Sequence, residues 1–428
     1  MSIKIRFSLK DALLLFFFYI LLFQNALESV IPACVYIDEA TGLFGIAVLA
    51  LNVLHTGKLK MKKNTASIIT ALSVFFLAGF AGNIIYKYQP MQAVLIDIYT
   101  NFKFFLSIIS GYVLFKICGD EDGLELLNRH ARIMSLLLFI LLLMDLTLHL
   151  FESPEYRYGI RVVKLFFFHP TYLAGAMVFL LSILLMFYRK GNAAYMFMSL
   201  AVLFFTLRAK ALAAVVIYPV IIYFLVYYRK KLKLWHVIVI AAAAVFVAWG
   251  QISYYYIELP GESARAVLTR TSFKIMGDYF PIGTGFGTYA SASATEYYSP
   301  IYFKYGLNHV WGLYEGSVTF GSDTFWPIIF GQTGFIGTVA FLIALTLLAR
   351  RVFSVRKESL YAYAAIVFVF SYLMISSTSE PAFHNSLSVP LAVLCGCIIF
   401  LLEKNEDELL NISCDGIRKY GGGVENGE

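Results

Sequence analysis

Apolar runs long enough to cross a bilayer recur from one end of this sequence to the other, and no other feature restricts its fold so severely. In hydrocarbon every backbone N–H and C=O needs a partner within the protein, which leaves helices and closed barrels. A barrel strand alternates apolar and polar residues, whereas Leu136-Leu137-Leu138-Phe139-Ile140-Leu141-Leu142-Leu143 is apolar throughout. Only 14% of residues are charged, against roughly 25% in soluble domains. The expected fold is all-α: a polytopic membrane protein, with residues 1–428 forming a single integral membrane domain.

At about 20 residues per crossing, twelve spans are expected, at 9–27, 36–55, 66–85, 94–116, 133–151, 170–188, 193–208, 211–228, 235–252, 325–349, 359–377 and 386–402. The first follows Lys4, Arg6 and Lys10 without a small-residue cleavage site, so it reads as a retained helix. Lys and Arg concentrate at 58–63, 116–132, 189–190, 229–233 and 350–357. The positive-inside rule then puts both termini in the cytoplasm. Residues 253–324 become one large outward-facing loop with short helices, and 403–428 a short polar cytoplasmic tail. The net charge of +7 belongs to the cytoplasmic loops and implies no nucleic-acid partner. Five scattered cysteines give neither a disulfide framework nor a zinc site; Cys395 and Cys397 are expected to face lipid or fill packing space.

The informative residues are cations that oppose this pattern. Arg208 and Lys210 sit in Thr206-Leu207-Arg208-Ala209-Lys210-Ala211-Leu212, an outer hairpin with almost no loop. One reading is an anion site, because a guanidinium can grip phosphate oxygens bidentately. The other is two side chains snorkelling to lipid headgroups. In the long loop, Val267, Leu268, Ile275 and Met276 recur at helical spacing, so residues 263–279 are expected as an amphipathic helix on the outer leaflet. Arg265 and Arg270 would point about 140° apart on it. Arg157, Arg161, Lys164 and His169 form a third group, with His169-Pro170 at the entrance of the sixth span. Lys103 and Asp145 lie at similar depth on neighbouring spans and are expected to pair. Gly283-Thr284-Gly285-Phe286-Gly287 is not a dinucleotide fingerprint and reads as a turn needing positive φ.

Together these segments resemble the O-antigen polymerase and O-antigen ligase superfamily of bacterial surface-polysaccharide assembly. The expected topology is similar over the whole chain, and the local likeness is densest from Arg265 to Thr338. The ligases carry His followed by Asn, Ser or Gln, nine residues, then Gly-x-x-Gly-Thr. Here Asp323-Thr324 precedes Gly334-Phe335-Ile336-Gly337-Thr338 at the same spacing, with Asp323 in the place of the histidine. Arg208 to Leu212 fits Arg-x-x-x-Leu. Arg265 and Arg270 before Pro281-Ile282-Gly283-Thr284-Gly285 are similar to an arginine pair ahead of a Pro-x-Gly-x-Gly run. His169-Pro170 with Gly175 resembles a polymerase segment.

The resemblance implies metal-independent glycosyl transfer between undecaprenyl-diphosphate-linked oligosaccharides at the outer face of the bacterial inner membrane, with no cofactor. The product would be O-antigen, capsule or exopolysaccharide, and the partners a flippase and a chain-length regulator. The residue at 323 favours a repeat-unit polymerase over a ligase. In physical terms, Arg208, Lys210, Arg265 and Arg270 are candidates to hold a diphosphate whose negative charge grows as the glycosidic bond breaks. Asp323, then His309, are candidates to accept the acceptor hydroxyl's proton. Asp323 also reads as an N-cap for the tenth span. Tyr298, Tyr302 and Trp311 are candidates to stack on sugar faces, or members of an interfacial aromatic belt. A rival class is a lipid-linked oligosaccharide flippase, though no internal repeat of the kind common in transporters is visible.

Overall fold

A computed structural model describes residues 8–57, 63–119, 121–188, 191–228, 253 and 263–420. The expected span at 235–252 and the start of the long loop lie outside the described residues. Helices occupy the other apolar segments: α1 (Leu9–Leu27), α2 (Ile37–Thr56), α3 (Lys63–Tyr86), α4 (Met91–Cys118), α5 (Glu121–Leu148), α6 (Pro170–Met186), α7 (Asn192–Phe205) and α8 (Ala209–Ile222). The long loop folds into α9 (Ala264–Asp278), α10 (Ala292–Glu296) and α11 (Pro300–Lys304), followed by α12 (Trp326–Phe353), α13 (Leu360–Ser376) and α14 (Ser388–Tyr420). Seven helices among the described residues are long and apolar enough to cross a membrane, while α6, α7 and α13 are shorter. The chain is a multi-pass membrane protein.

Local chemistry marks several helix starts. Ser8 and Asp11 form a reciprocal capping box at α1, and the Ser359 hydroxyl accepts from the Ala362 N–H at α13. The helix α14 runs on to Tyr420, through part of the segment expected to be a tail. Cys395 and Cys397 are fully buried, so they pack rather than face lipid.

The bundle is knitted from four sets of neighbours: α4 lies between α2 and α14, α3 and α9 pack on α12, α7 joins α5 to α6, and α13 bridges α6 to α8. Polar side chains deepen these contacts. The Lys103 ammonium on α4 pairs with Asp38 and reaches Glu39 on α2 at 3.3 Å, while the Gln24 amide donates to Asp38 at 2.7 Å. The expected Lys103–Asp145 pair is therefore wrong. Asp145 instead accepts from Arg161 at 2.6 Å, because the loop after α5 folds back over that helix's end.

The long loop is built into the bundle. Its glycine run enters between α3 and α12 at a break in α12, where Gly334 has φ 60° and ψ −154°. The break exchanges hydrogen bonds: Ile336 N–H donates to Pro281 O (3.1 Å) rather than up its own helix, and Gln332 O accepts instead from Gly285 N–H (2.8 Å). Thr284 N–H donates to Gly331 O at 3.0 Å. On the other side, the Asn83 side chain of α3 clasps both backbone groups of Phe286, at 2.8 and 2.9 Å. Gly285, with φ 102°, supplies the left-handed turn expected of the run. Irregular backbone is tolerated at membrane depth only when protein satisfies it, and here protein does so on both sides. Beneath the run, fully buried Asp97 on α4 is held by Ser291, Gly287, Gln332 and Asn101.

Candidate functional site

Three of the expected cations converge at the end of the bundle that carries the long loop. Arg208 stands at the start of α8, in the tight turn after α7. Its Nη2 donates to Glu155 Oε2 at 2.6 Å and lies 2.9 Å from His169 Nε2. The other Glu155 oxygen accepts from Arg157 Nε at 2.7 Å. Lys210, in the first turn of α8 and buried, pairs with Glu380 from the turn between α13 and α14. Arg265 on α9 donates to Asp323 Oδ2 at 3.0 Å. Arg208 and Arg265 are both within electrostatic reach of Lys210, which joins the three pairs into one group.

Burial decides between the two readings of the hairpin. The Arg208 and Lys210 side chains are 15% and 8% exposed, so they do not snorkel to headgroups. Donors approach both ring nitrogens of His169, the Arg208 guanidinium at Nε2 and the Thr171 N–H at Nδ1 (3.3 Å), so one nitrogen carries a lone pair and the ring is neutral. Burial first, then the Arg208 charge, push the His169 pKa down to about 4. For Glu155, burial pulls upward, but the Arg157 hydrogen bond and the Arg208 and Arg157 charges outweigh it and hold the carboxyl below its usual range. The described pairs thus set Arg157 and Arg208 on Glu155, Lys210 on Glu380 and Arg265 on Asp323. Partly buried cations held by single carboxylates are groups that an anion with several acceptor oxygens can engage in their place.

Other expected residues sit elsewhere. Arg270 is exposed on α9, which turns Leu268 and Ile275 into the protein. The apolar face of α9 packs in the loop's own core and on α12 and does not lie on a leaflet, because Tyr289, Ile301, Leu307 and Leu313 cover it. Tyr302 belongs to that core and is fully buried, so it presents no face to a sugar. Tyr298 packs against it, with its hydroxyl donating to Leu313 O at 2.8 Å. Trp311 is 67% exposed against Phe320 and keeps an open face. His309 is exposed beside Asn308. Asp323 does not cap the helix that follows: α12 begins at Trp326, its N-cap residue is Phe325, and the carboxylate turns to Arg265.

Sequence reasoning missed Glu155, Glu380 and Asp97. The first two look like ordinary loop acids until folding sets each against a cation far along the chain. Asp97 did carry a signal, an acid inside an apolar span. Among the described residues no group of three or more His, Cys, Asp and Glu side chains is placed to hold a metal ion. No family model, curated protein or solved structure matches the chain.

Proposed function

We propose that the chain is a membrane-embedded glycosyltransferase that polymerises undecaprenyl-diphosphate-linked oligosaccharide repeat units at the outer face of a bacterial inner membrane. One observation carries the reading: Arg208 and Lys210, at the start of α8, and Arg265, on α9, meet at the loop end. Fixed cations there would stabilise the negative charge growing on a diphosphate leaving group. The acceptor sugar's hydroxyl attacks the anomeric carbon, its proton passes to a carboxylate, and the anomeric C–O bond breaks with its electron pair leaving on the diphosphate. Asp323 is our candidate acceptor of that proton, becoming available when substrate engages Arg265. Trp311 offers a ring to a sugar.

The test is the surface glycan with the gene present and deleted. Deletion is expected to leave single repeat units at the surface; long chains stranded on the lipid carrier would make the protein a ligase. Asp323→Asn should lose chain growth, and normal growth in that variant removes Asp323 from the chemistry. A flippase is the second reading, favoured by the buried Lys103–Asp38–Glu39 group between α2 and α4. In vesicles a flippase would move the lipid-linked unit without lengthening it.

A further inference from the structure

The strongest remaining feature is how Arg208 is already occupied. Its Nη2 has two hydrogens; one faces the Glu155 carboxylate at 2.6 Å and the other the neutral His169 ring at 2.9 Å. An anion reaching this nitrogen must replace one of them, and the like-charged carboxylate is the partner it repels. Glu155 also has somewhere to remain, because its second oxygen is held by Arg157 Nε at 2.7 Å. Two short antiparallel strands follow it, Tyr156–Arg157 and Ile160–Arg161, and the hairpin they form is pinned at the second, where Arg161 donates to the Asp145 side chain (2.6 Å) and to the carbonyls of Asp145 (2.7 Å) and Phe151 (2.9 Å). Its tip, Tyr158-Gly159, is a tight turn with φ 53° and 74°.

We propose that Glu155 is the resident anion of the Arg208 site, displaced onto Arg157 when ligand binds, and that it thereby sets the site's affinity and selectivity for anions. Weakly charged anions fail to displace it; a diphosphate, with more charge and more acceptor oxygens, succeeds. The inference rests on the reading of the cation group as an anion site, but not on the reaction that follows binding.

The experiment measures pyrophosphate binding to the purified full-length protein in detergent by calorimetry, with thermal unfolding followed in parallel. Glu155→Gln removes the competing charge at constant size and should tighten binding by up to about fivefold, the upper end for removing a part-exposed ion pair. Glu155→Asp, one methylene shorter, withdraws the carboxylate from Arg208 and should shift affinity in the same direction. It serves as the test if the glutamine variant does not fold. Arg208→Ala should abolish binding. Unchanged or weaker binding in both Glu155 variants, with wild type binding and Arg208→Ala not, overturns the displacement while the anion site stands. Wild-type affinity equal to that of Arg208→Ala overturns the anion site itself.

Discussion

Arg208 is the residue on which the proposed chemistry depends most heavily. Arg208→Ala should reduce chain growth by about a hundredfold or more, and Arg208→Lys should recover little, since a point charge cannot reproduce a planar fork on a diphosphate. Glycan ladders normalised to inserted protein measure both, and near-normal growth in the alanine variant removes Arg208 from the site. His169 gives a prediction in pH. Its pKa is about 4 in the folded protein against 6.5 ordinarily. Between those values the unfolded chain binds a proton that the folded chain refuses, so stability should fall as pH drops from about 6.5 towards 4. His384, pushed to about 3 by burial and then Lys103, acts in the same direction. Thermal unfolding across that range should show the decline, and His169→Gln should lessen it; an unaltered pH profile rules His169 out as a source. Arg208 and Lys210 were legible in the sequence because a charge in an apolar hairpin is costly. Glu155 and Glu380 were not, since an acid in a loop has no cost that singles it out.

Among the elements, the break in α12 makes the sharpest demand on sequence. Gly334 occupies a region of backbone space open in practice only to glycine, and a Cβ there would stand 2.8 Å from the Pro281 carbonyl oxygen. Gly334→Ala should destabilise by about 1–3 kcal/mol from backbone strain alone, read as a lower unfolding temperature in detergent. Gly277 in α9 is the control: it has open space around it, and alanine favours a helix more than glycine does. Gly277→Ala should be neutral or slightly stabilising, and an equal loss in both variants would contradict this account of the break. The helices could be read from run length alone because bilayer thickness fixes it. The insertion at Gly334 could not, for its partners lie some fifty residues upstream and on α3; the sequence held only the two glycine patterns that it joins.

For the molecule as a whole, orientation decides whether the cation group faces lipid-linked sugar outside the cell. In a background lacking Cys34 and Cys414, a membrane-impermeant thiol reagent added to whole cells should modify Glu315→Cys, which is exposed in the long loop. It should spare Lys357→Cys, which follows the opposite end of α12. The reverse pattern would invert the topology and withdraw the outer-face chemistry. The hydrogen bonds exchanged at Gly334 also govern how such a protein can be recombined. A loop that closes on itself could be traded between related chains as a cassette, carrying its specificity along. This one shares its backbone bonding with α12 and its turn with Asn83 of α3. A chimera should therefore keep its function only when all three segments come from the same parent.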